Sequence, residues 1–511
     1  MTDRLLVRGR WLVTGAAESD GTVEDGAVLV TGDVIEEVGD WPTLHAANPD
    51  ARVIGSERTA VLPGLINAHH HSAGVTALQH AIPDDLLEPW ILAHARMRPS
   101  DMGLNVLLSA DRLLRSGVTS VVEVMSGGGP AEAFADRLGR GLAAYDKAGL
   151  RVAYAAGVSD QSHLVHGKGQ DAVFLDDLPP ELRDQAGVQL PGPDQLTRAD
   201  YFAVMDEAWR RYKDHPRIDV WFGPPGPQWV SDPFLQEIAE RAESLDVGIQ
   251  THLAESFYEK LHGPRDYGTA TLSHMGELGL LGPRFSIAHG VWLSEAEIAL
   301  LAETGSGISH NPGSNLRLRT GIAPLNALLA SDTTVALGMD GTTINDDEDF
   351  FAEMRLALRL ARTPHLGGPA PAPTRVFEMA TLGGAKLLRQ EGRLGRLAPG
   401  YQADLVLLDT ARLTWPWIAP EADPRDLILL RAKASDVTSV LVAGELVLED
   451  RQPTRFNTLE VGRALAESLA AEAYPSEAAD MVAALTPHLE AWYQSWETPE
   501  LDPYVVYNSR R

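Results

Sequence analysis

At 511 residues the chain exceeds one typical domain and can bury a large core, and its 44% hydrophobic and 22% charged residues are the balance of a water-soluble globular protein. A formal charge of −28 argues against nucleic acid and against anionic membrane surfaces as partners, since both require basic patches. There is no cysteine, so disulfides and thiolate metal sites are excluded and any metal must be held by His, Asp or Glu.

The N-terminal stretch Met1-Thr2-Asp3-Arg4-Leu5-Leu6-Val7-Arg8-Gly9-Arg10 carries charges and no apolar run of signal-peptide length. No uncharged apolar stretch is long enough to span a bilayer, so a cytoplasmic enzyme is expected. Residues 1–60 alternate short apolar runs with turn residues. Leu5-Leu6-Val7, Trp11-Leu12-Val13, Ala27-Val28-Leu29-Val30 and Val34-Ile35-Glu36-Glu37-Val38 read as strands between Gly and Asp. Next, Val61 and Leu62 with Leu65 and Ile66 read as one short buried strand that ends in His69-His70-His71. Successive strand side chains face opposite ways, so His69 and His71 share a face and His70 points away. Two imidazoles on one face can hold a divalent metal together.

The middle of the chain alternates buried-looking strands with helices. The strands are Val118–Val122, Val152–Ala155, Ile218–Phe222, Val247–Gln250, Phe285–Ala288 and Val335–Gly338. The clearest helix start is the capping box Ser294-Glu295-Ala296-Glu297, leading into Ile298-Ala299-Leu300-Leu301 and stopping near Gly305. Repeated strand–helix units over this length favour an α/β fold with a parallel (β/α)8 TIM-type barrel. A doubly wound sheet is the runner-up, but no glycine-rich dinucleotide fingerprint follows an early strand. Strand texture returns at Ala403–Leu408 and Val437–Val447. Residues 1–60 and 393–456 are therefore expected to form one small β-sandwich domain, 61–392 the barrel, and 457–511 a C-terminal helical extension ending in an irregular aromatic segment.

In such a barrel the chemistry sits where strands end. His69 and His71 close the first strand, His252 follows Val247–Thr251, His289 follows Phe285–Ala288, and Asp340 follows Val335–Met339. Together they are a nitrogen/oxygen donor set suited to zinc, which takes three or four such ligands and leaves a position for water. Glu255, three residues beyond His252, can fold a carboxylate back over a metal bound by that histidine.

The chain resembles the amidohydrolase superfamily, in its branch of cytosine, guanine, adenosine-analogue and triazine deaminases. The resemblance is carried, in family order over roughly residues 1–450, by Pro63-Gly64-Leu65-Ile66-Asn67-Ala68-His69-His70-His71, His252-Leu253-Ala254-Glu255, Ala288-His289-Gly290, Ser309-His310-Asn311-Pro312-Gly313-Ser314-Asn315 and Leu337-Gly338-Met339-Asp340-Gly341. Ala380-Thr381-Leu382-Gly383-Gly384-Ala385 and Gly395-Arg396-Leu397-Ala398-Pro399-Gly400-Tyr401-Gln402-Ala403-Asp404-Leu405 complete it. It implies one divalent metal per chain, zinc first and iron as the alternative, with His69, His71, His252 and Asp340 as ligands. It implies that His289 touches the water or the substrate. No lysine ends the fourth strand, which reads Phe222-Gly223-Pro224-Pro225, so the carbamylated lysine of binuclear relatives is not supported. Adenosine-type relatives usually carry Pro-His-Ala-Pro there; Pro225 stands in the place of that substrate-contacting histidine and donates no hydrogen bond.

The expected function is hydrolysis of a carbon–nitrogen bond, deamination of an amino-substituted purine, pyrimidine, pterin or triazine ring. A metal lowers the pKa of water toward ~7. Asp340 and His289 orient and deprotonate that water, while Glu255, protonated through burial, serves the ring nitrogen and, with Asp340, the departing ammonia or amine. The alternatives on the same scaffold are an amide, urea or carbamate hydrolase, and displacement of a chloro or alkylamino ring substituent; a non-catalytic scaffold is disfavoured because every ligand is kept. Specificity is expected in loops 72–100, 160–196 and 224–231, with Glu88, Trp90, His163, Gln228 and His310 as substrate-side candidates. The partners expected are a small-molecule substrate and further copies of the chain in a homodimer or higher homo-oligomer.

Overall fold

The computed structural model describes residues 4–15, 21–187, 190, 192, 194–341 and 348–497, and the irregular aromatic end of the chain lies outside the described residues. Four strands come first, β1 (Arg4–Val13), β2 (Thr22–Thr31), β3 (Val34–Asp40) and β4 (Arg52–Pro63). Then follow β5 (Leu65–His71), β6 (Val118–Ser126), β7 (Arg151–Gly157), β8 (Ile218–Phe222), β9 (Ile249–Leu253), β10 (Phe285–His289), β11 (Gly307–His310), β12 (Thr334–Leu337) and β13 (Asp340–Gly341). The last four are β14 (Leu405–Asp409), β15 (Val437–Val442), β16 (Glu445–Glu449) and β17 (Gln452–Pro453).

Both chain ends build a single eight-stranded mixed sheet in the order β17-β16-β15-β14-β4-β1-β2-β3. The ladder is continuous and curls over its own core: Val28, Val30 and Ile35 from one end share a cluster with Leu405, Leu407 and Leu441 from the other. The alternate residues Leu62, Val406, Leu408 and Val440 face the barrel. A period of two thus serves two cores, which explains why these strands read as nearly unbroken apolar runs.

The apolar run around Pro63 is two strands. Val61 and Leu62 end β4, paired antiparallel with β14 in the terminal sheet; Leu65 starts β5, paired parallel with β6 in the barrel. Gly64 turns the chain between them, with its N–H on the Asp404 carbonyl at 2.8 Å. A Cβ there would stand 2.1 Å from Thr119 Oγ1, so only glycine fits the passage from one sheet to the next.

Strands β5 to β12 are parallel neighbours in sequence order, and the stub β13 continues β12 and pairs with β5, Asp340 opposite His70 and Gly341 opposite His71. This seam closes the ring with side chains as well as backbone. His70 Nδ1–H donates to the Asp340 carbonyl at 2.7 Å, and Asn67 Oδ1 accepts the Met339 N–H at 3.0 Å. β11 is absent from the strands expected above, because Gly307-Ile308-Ser309-His310 offers one large apolar residue and no alternation. Its pairing with β10 and β12 makes it a strand.

The capping box at Ser294 forms, with Glu297 answering it and Gly305 ending the helix Glu295–Thr304 in the left-handed region at φ 73°. The C-terminal extension holds two helices, Thr458–Ala471 and Ser476–Gln494. The first is tied to the helix Met102–Arg115 by Thr458 Oγ1 donating to Asp111 Oδ1 at 2.8 Å. Among the described residues no helix is long and apolar enough to cross a membrane.

Candidate active site

The strand ends carry His69 and His71 on β5, His252 on β9, His289 on β10 and Asp340 on β13 to one rim. Two of these residues sit in the left-handed region that side chains avoid, His289 at φ 74° and Asp340 at φ 58°. Such conformations cost on the order of 1–3 kcal/mol each and persist where the surroundings impose them. Here they turn two side chains inward at points where a regular strand would carry them past the rim.

Four imidazoles are fixed through Nδ1. His69 Nδ1 meets Gln250 Oε1 at 2.8 Å, His71 Nδ1 the Val124 carbonyl at 2.8 Å, His252 Nδ1 the Pro225 carbonyl at 2.6 Å, and His289 Nδ1 Asn315 Oδ1 at 2.9 Å. An oxygen acceptor at each Nδ1 puts the proton there and leaves every Nε2 with its lone pair free. Gln250 is held in turn, its Nε2 donating to the Ala68 carbonyl at 3.0 Å and to Ser286 Oγ at 3.2 Å. Burial drives His69 well below the usual imidazole range and His252 down to about 3, the latter helped by the neighbouring His71, and it lowers His289 as well.

The free nitrogens converge. His71 Nε2 lies 3.0 Å from His252 Nε2, and Asp340 Oδ1 lies 3.5 Å from His71 Nε2 and 3.6 Å from His69 Nε2. Two lone pairs 3.0 Å apart repel unless a cation lies between them. Zinc with four ligands at ~2.0–2.1 Å sets its donors about 3.3–3.4 Å apart, close to these separations. His69 Nε2 is buried without a partner. The donor atoms of His69, His71 and His252 lie within 4.8 Å of one another, as do those of His69, His289 and Asp340. The chemistry and spacing of this set fit a divalent metal. Burial pushes the Asp340 carboxyl up, but His289, His69, His71 and the Ser314 hydroxyl at 2.5 Å outweigh it and hold it ionised, as a ligand must be.

Glu255 faces this set from the other side. Its Oε2 is 3.5 Å from His289 Nε2, its Oε1 is buried and unpartnered, and Asp340 Oδ2 is 3.7 Å from the same His289 nitrogen. Burial first, then the carboxylates of Glu259, Asp340 and Glu88, drives the Glu255 carboxyl well above its ordinary range, which favours its protonated form. Glu259 accepts the Glu255 N–H at 2.7 Å and Gln228 Nε2 at 2.9 Å, and burial raises it to about 7. Glu88 accepts the Ser256 hydroxyl and is raised by burial to about 7.

Of the substrate-side candidates, Glu88 and Gln228 therefore reach the acid cluster around Glu255. His310 is buried with both ring nitrogens unpartnered, in the electrostatic reach of His289. Trp90 packs with Ala77, Ile82, Leu87 and Leu318 and meets His94 at 4.0 Å between ring centroids. His163 stands apart: Asp171 holds its backbone N–H at 2.7 Å, and among the described contacts its ring joins none of the rim residues. The sequence reading assigned no role to Gln250, Glu259, Ser256, Asn67 or His70. Gln250 has a local signal, since it lies two residues before His252 on the same strand face; the others have none. Pro225 denies the site a side-chain donor and supplies the carbonyl that aims His252.

Comparison with known proteins finds a family model, relatives and solved structures similar to the chain. The amidohydrolase family model matches residues 60–447, and an imidazolonepropionase-like composite domain of bacteria matches 26–51. A 5-methylthioadenosine/S-adenosylhomocysteine deaminase of Nitratidesulfovibrio vulgaris is 32% identical over 89% of this chain and 94% of its own. A 5'-deoxyadenosine deaminase of Methanothermobacter thermautotrophicus is 31% identical over 90% of this chain and 98% of its own. Among solved structures, a zinc-bound adenosine deaminase from Xanthomonas campestris superposes with a TM-score of 0.77 at 28% identity, covering 91% of this chain and 98% of that one. The zinc complex of an atrazine chlorohydrolase from Arthrobacter aurescens shares the fold, with a TM-score of 0.74 at 19% identity, covering 91% of this chain and 100% of that one.

Proposed function

The chain belongs to the amidohydrolase family, and from that membership and the geometry of the rim we propose a metal-dependent hydrolase that deaminates an amino-substituted nitrogen heterocycle. The observation that carries this reading is Glu255, a fully buried carboxyl whose pKa burial raises, 3.5 Å from the free Nε2 of His289 and beside a three-histidine, one-aspartate donor set. A proton donor so placed suits attack on an amidine-like ring carbon, where the ring nitrogen must gain a proton as the new carbon–oxygen bond forms.

His69, His71, His252 and Asp340 would hold the metal, one per chain, with zinc first and iron as the alternative. Bound there, it supplies the Lewis acidity that makes water reactive at neutral pH. His289, its Nδ1–H fixed by Asn315, presents Nε2 to take a proton from the attacking water. Asp340, steadied at Oδ2 by Ser314, shares that task. Glu255 gives its proton to the ring nitrogen and then, with Asp340, passes one to the leaving amino group, which departs as ammonia. Glu88, Gln228, Trp90 and His310 line the substrate side in this reading.

The barrel, which begins at Leu65, is the catalytic unit, with the sheet built from both chain ends as its supporting β domain and Thr458–Ala471 and Ser476–Gln494 as added helices. We place the protein in the cytoplasm, which its cysteine-free composition supports, and as a homo-oligomer. Trp415 and Trp417 are 74% and 73% exposed, an apolar pair that a second copy can cover. Trp415→Ser with Trp417→Ser is expected to shift the mass measured by light scattering to that of one chain; an unchanged mass refutes this assignment of the interface.

The test of function is ammonia release across purines, pyrimidines, pterins and triazines by metal-replete protein. Turnover of at least one ring amine is expected. Release of chloride or alkylamine instead, or cleavage only of open-chain amides, ureas or carbamates, overturns the deaminase reading.

A further inference from the structure

The helix Ser476–Gln494 belongs to no barrel unit, and the proposed chemistry does not use it, yet it buries one apolar face through Met481, Val482, Leu485, Leu489 and Tyr493. Met481, Val482, Leu485 and Leu489 pack against Val165 and Phe174 of the insert after β7 and against the helix Phe257–Asp266. Removing these apolar side chains from water holds the helix to its neighbours. It also meets the helix Leu87–Ala93, which carries Glu88. Two of these partners carry acids that act on Glu255, one bearing Glu88 and the other starting two residues after Glu255 and bearing Glu259; the third is the insert.

Tyr493 stands where they meet. It is 3% exposed, its hydroxyl accepts the His166 N–H at 3.0 Å, and its ring lies 4.9 Å from Tyr258 and 5.2 Å from His166. Tyr258 is in turn tied to the end of the same tail, its hydroxyl donating to Glu497 at 2.8 Å. At this junction His166 Nδ1 and His262 Nε2 are buried without hydrogen-bond partners, and His262 Nδ1 has only Asp266 Oδ2 at 3.7 Å. Buried polar atoms left open in this way call for a polar occupant, water or a substituent of the substrate.

Resting on the deaminase reading, we propose that Ser476–Gln494 is the roof of the substrate chamber and that Tyr493 is its positioning residue. The hydroxyl pins the insert at His166 while the ring presses the Glu259 helix toward Glu88. In this way a segment outside the barrel keeps Glu88, Glu255 and Glu259 facing one substrate. The roof sets how large a ring substituent the chamber admits.

The experiment uses full-length, metal-loaded protein and Tyr493→Phe, which keeps the ring and orphans the His166 N–H. Losing a buried hydrogen bond weakens the tie by about tenfold or more. We expect KM to rise about tenfold, kcat to stay within about threefold, and metal content to stay unchanged. Amide exchange should quicken about tenfold over residues 160–187, with β5 and β9 as protected as before. Thr486→Ala, which removes only a bond to the Val482 carbonyl within the same helix, should leave KM and exchange at wild-type values. A folded Tyr493→Phe with KM and exchange both unchanged overturns the proposal, as does a loss of metal and kcat at constant KM. Should that variant not fold, Tyr258→Phe cuts the tie to Glu497 and must raise KM in the same direction, or the roof is wrong. Exchange is read without substrate, so a wild-type protein that deaminates no heterocycle sinks the functional reading while the exchange comparison still decides the roof.

Discussion

Replacing Glu255 by glutamine separates proton transfer from metal binding. The amide has the shape of the carboxyl, so the buried pocket stays filled and the Glu255 backbone N–H still reaches Glu259. It cannot give up and regain a proton. A positioned general acid–base group contributes about 10²–10⁴-fold, or roughly 3–5.5 kcal/mol of barrier. Glu255 is asked to act twice, at the ring nitrogen and at the leaving group, so a loss of about 10³–10⁴ in kcat is expected. The sign of the pH dependence follows from its raised pKa: the wild-type kcat/KM falls as pH rises past that pKa and the carboxyl loses its proton, and the variant lacks that limb. Ammonia release over a pH series, with elemental analysis of the same samples, makes the measurement. Full metal content with kcat within tenfold of wild type would show that another group moves the proton.

Elemental analysis should find about one divalent transition metal per chain, and His71→Ala or His252→Ala should abolish its binding; two tightly held ions per chain, or activity without any, contradicts the ligand set. The contribution of Glu88 to stability should fall as pH rises from about 4.5 to about 7, because this buried carboxyl keeps its proton in the folded state up to about 7 and gives it up near 4.5 when unfolded. The shift is worth about 3 kcal/mol, so denaturant titration should show Glu88→Gln gaining on wild type above pH 7 and matching it below pH 4.5. Finally, the names of the relatives point to adenosine-like rings, whereas Pro225 removes a side-chain donor from the end of β8 and leaves only a carbonyl already used by His252. We expect adenosine and its thioether analogues to rank below the best of guanine, cytosine and the aminotriazines in kcat/KM; adenosine compounds winning by a wide margin would show that another loop group restores the contact.

Much of the candidate metal site could be read from local rules. A strand's period of two places His69 and His71 on one face whatever the rest of the chain does, and polar residues closing apolar runs stand out at His252, His289 and Asp340. The capping box at Ser294 is equally local and forms as written. The boundary at Gly64 is different: the apolar pattern runs straight through it, and only two competing pairing partners, β14 and β6, divide it into two strands. β11 owes its existence to its neighbours in the same way.

The acceptors that set each imidazole's tautomer lie 181, 53, 27 and 26 residues from the rings they fix, on other strands and loops. No sequence period links such positions; closure of the barrel does, by bringing every strand end to one rim. The same closure places Glu88 on Ser256, 168 residues away, and Glu259 against Gln228, and the shared burial of these groups raises their pKa values. Local sequence therefore determined which side chains are offered to the rim. Tertiary structure decided their protonation and their aim, because both depend on desolvation and on partners that only the closed barrel supplies.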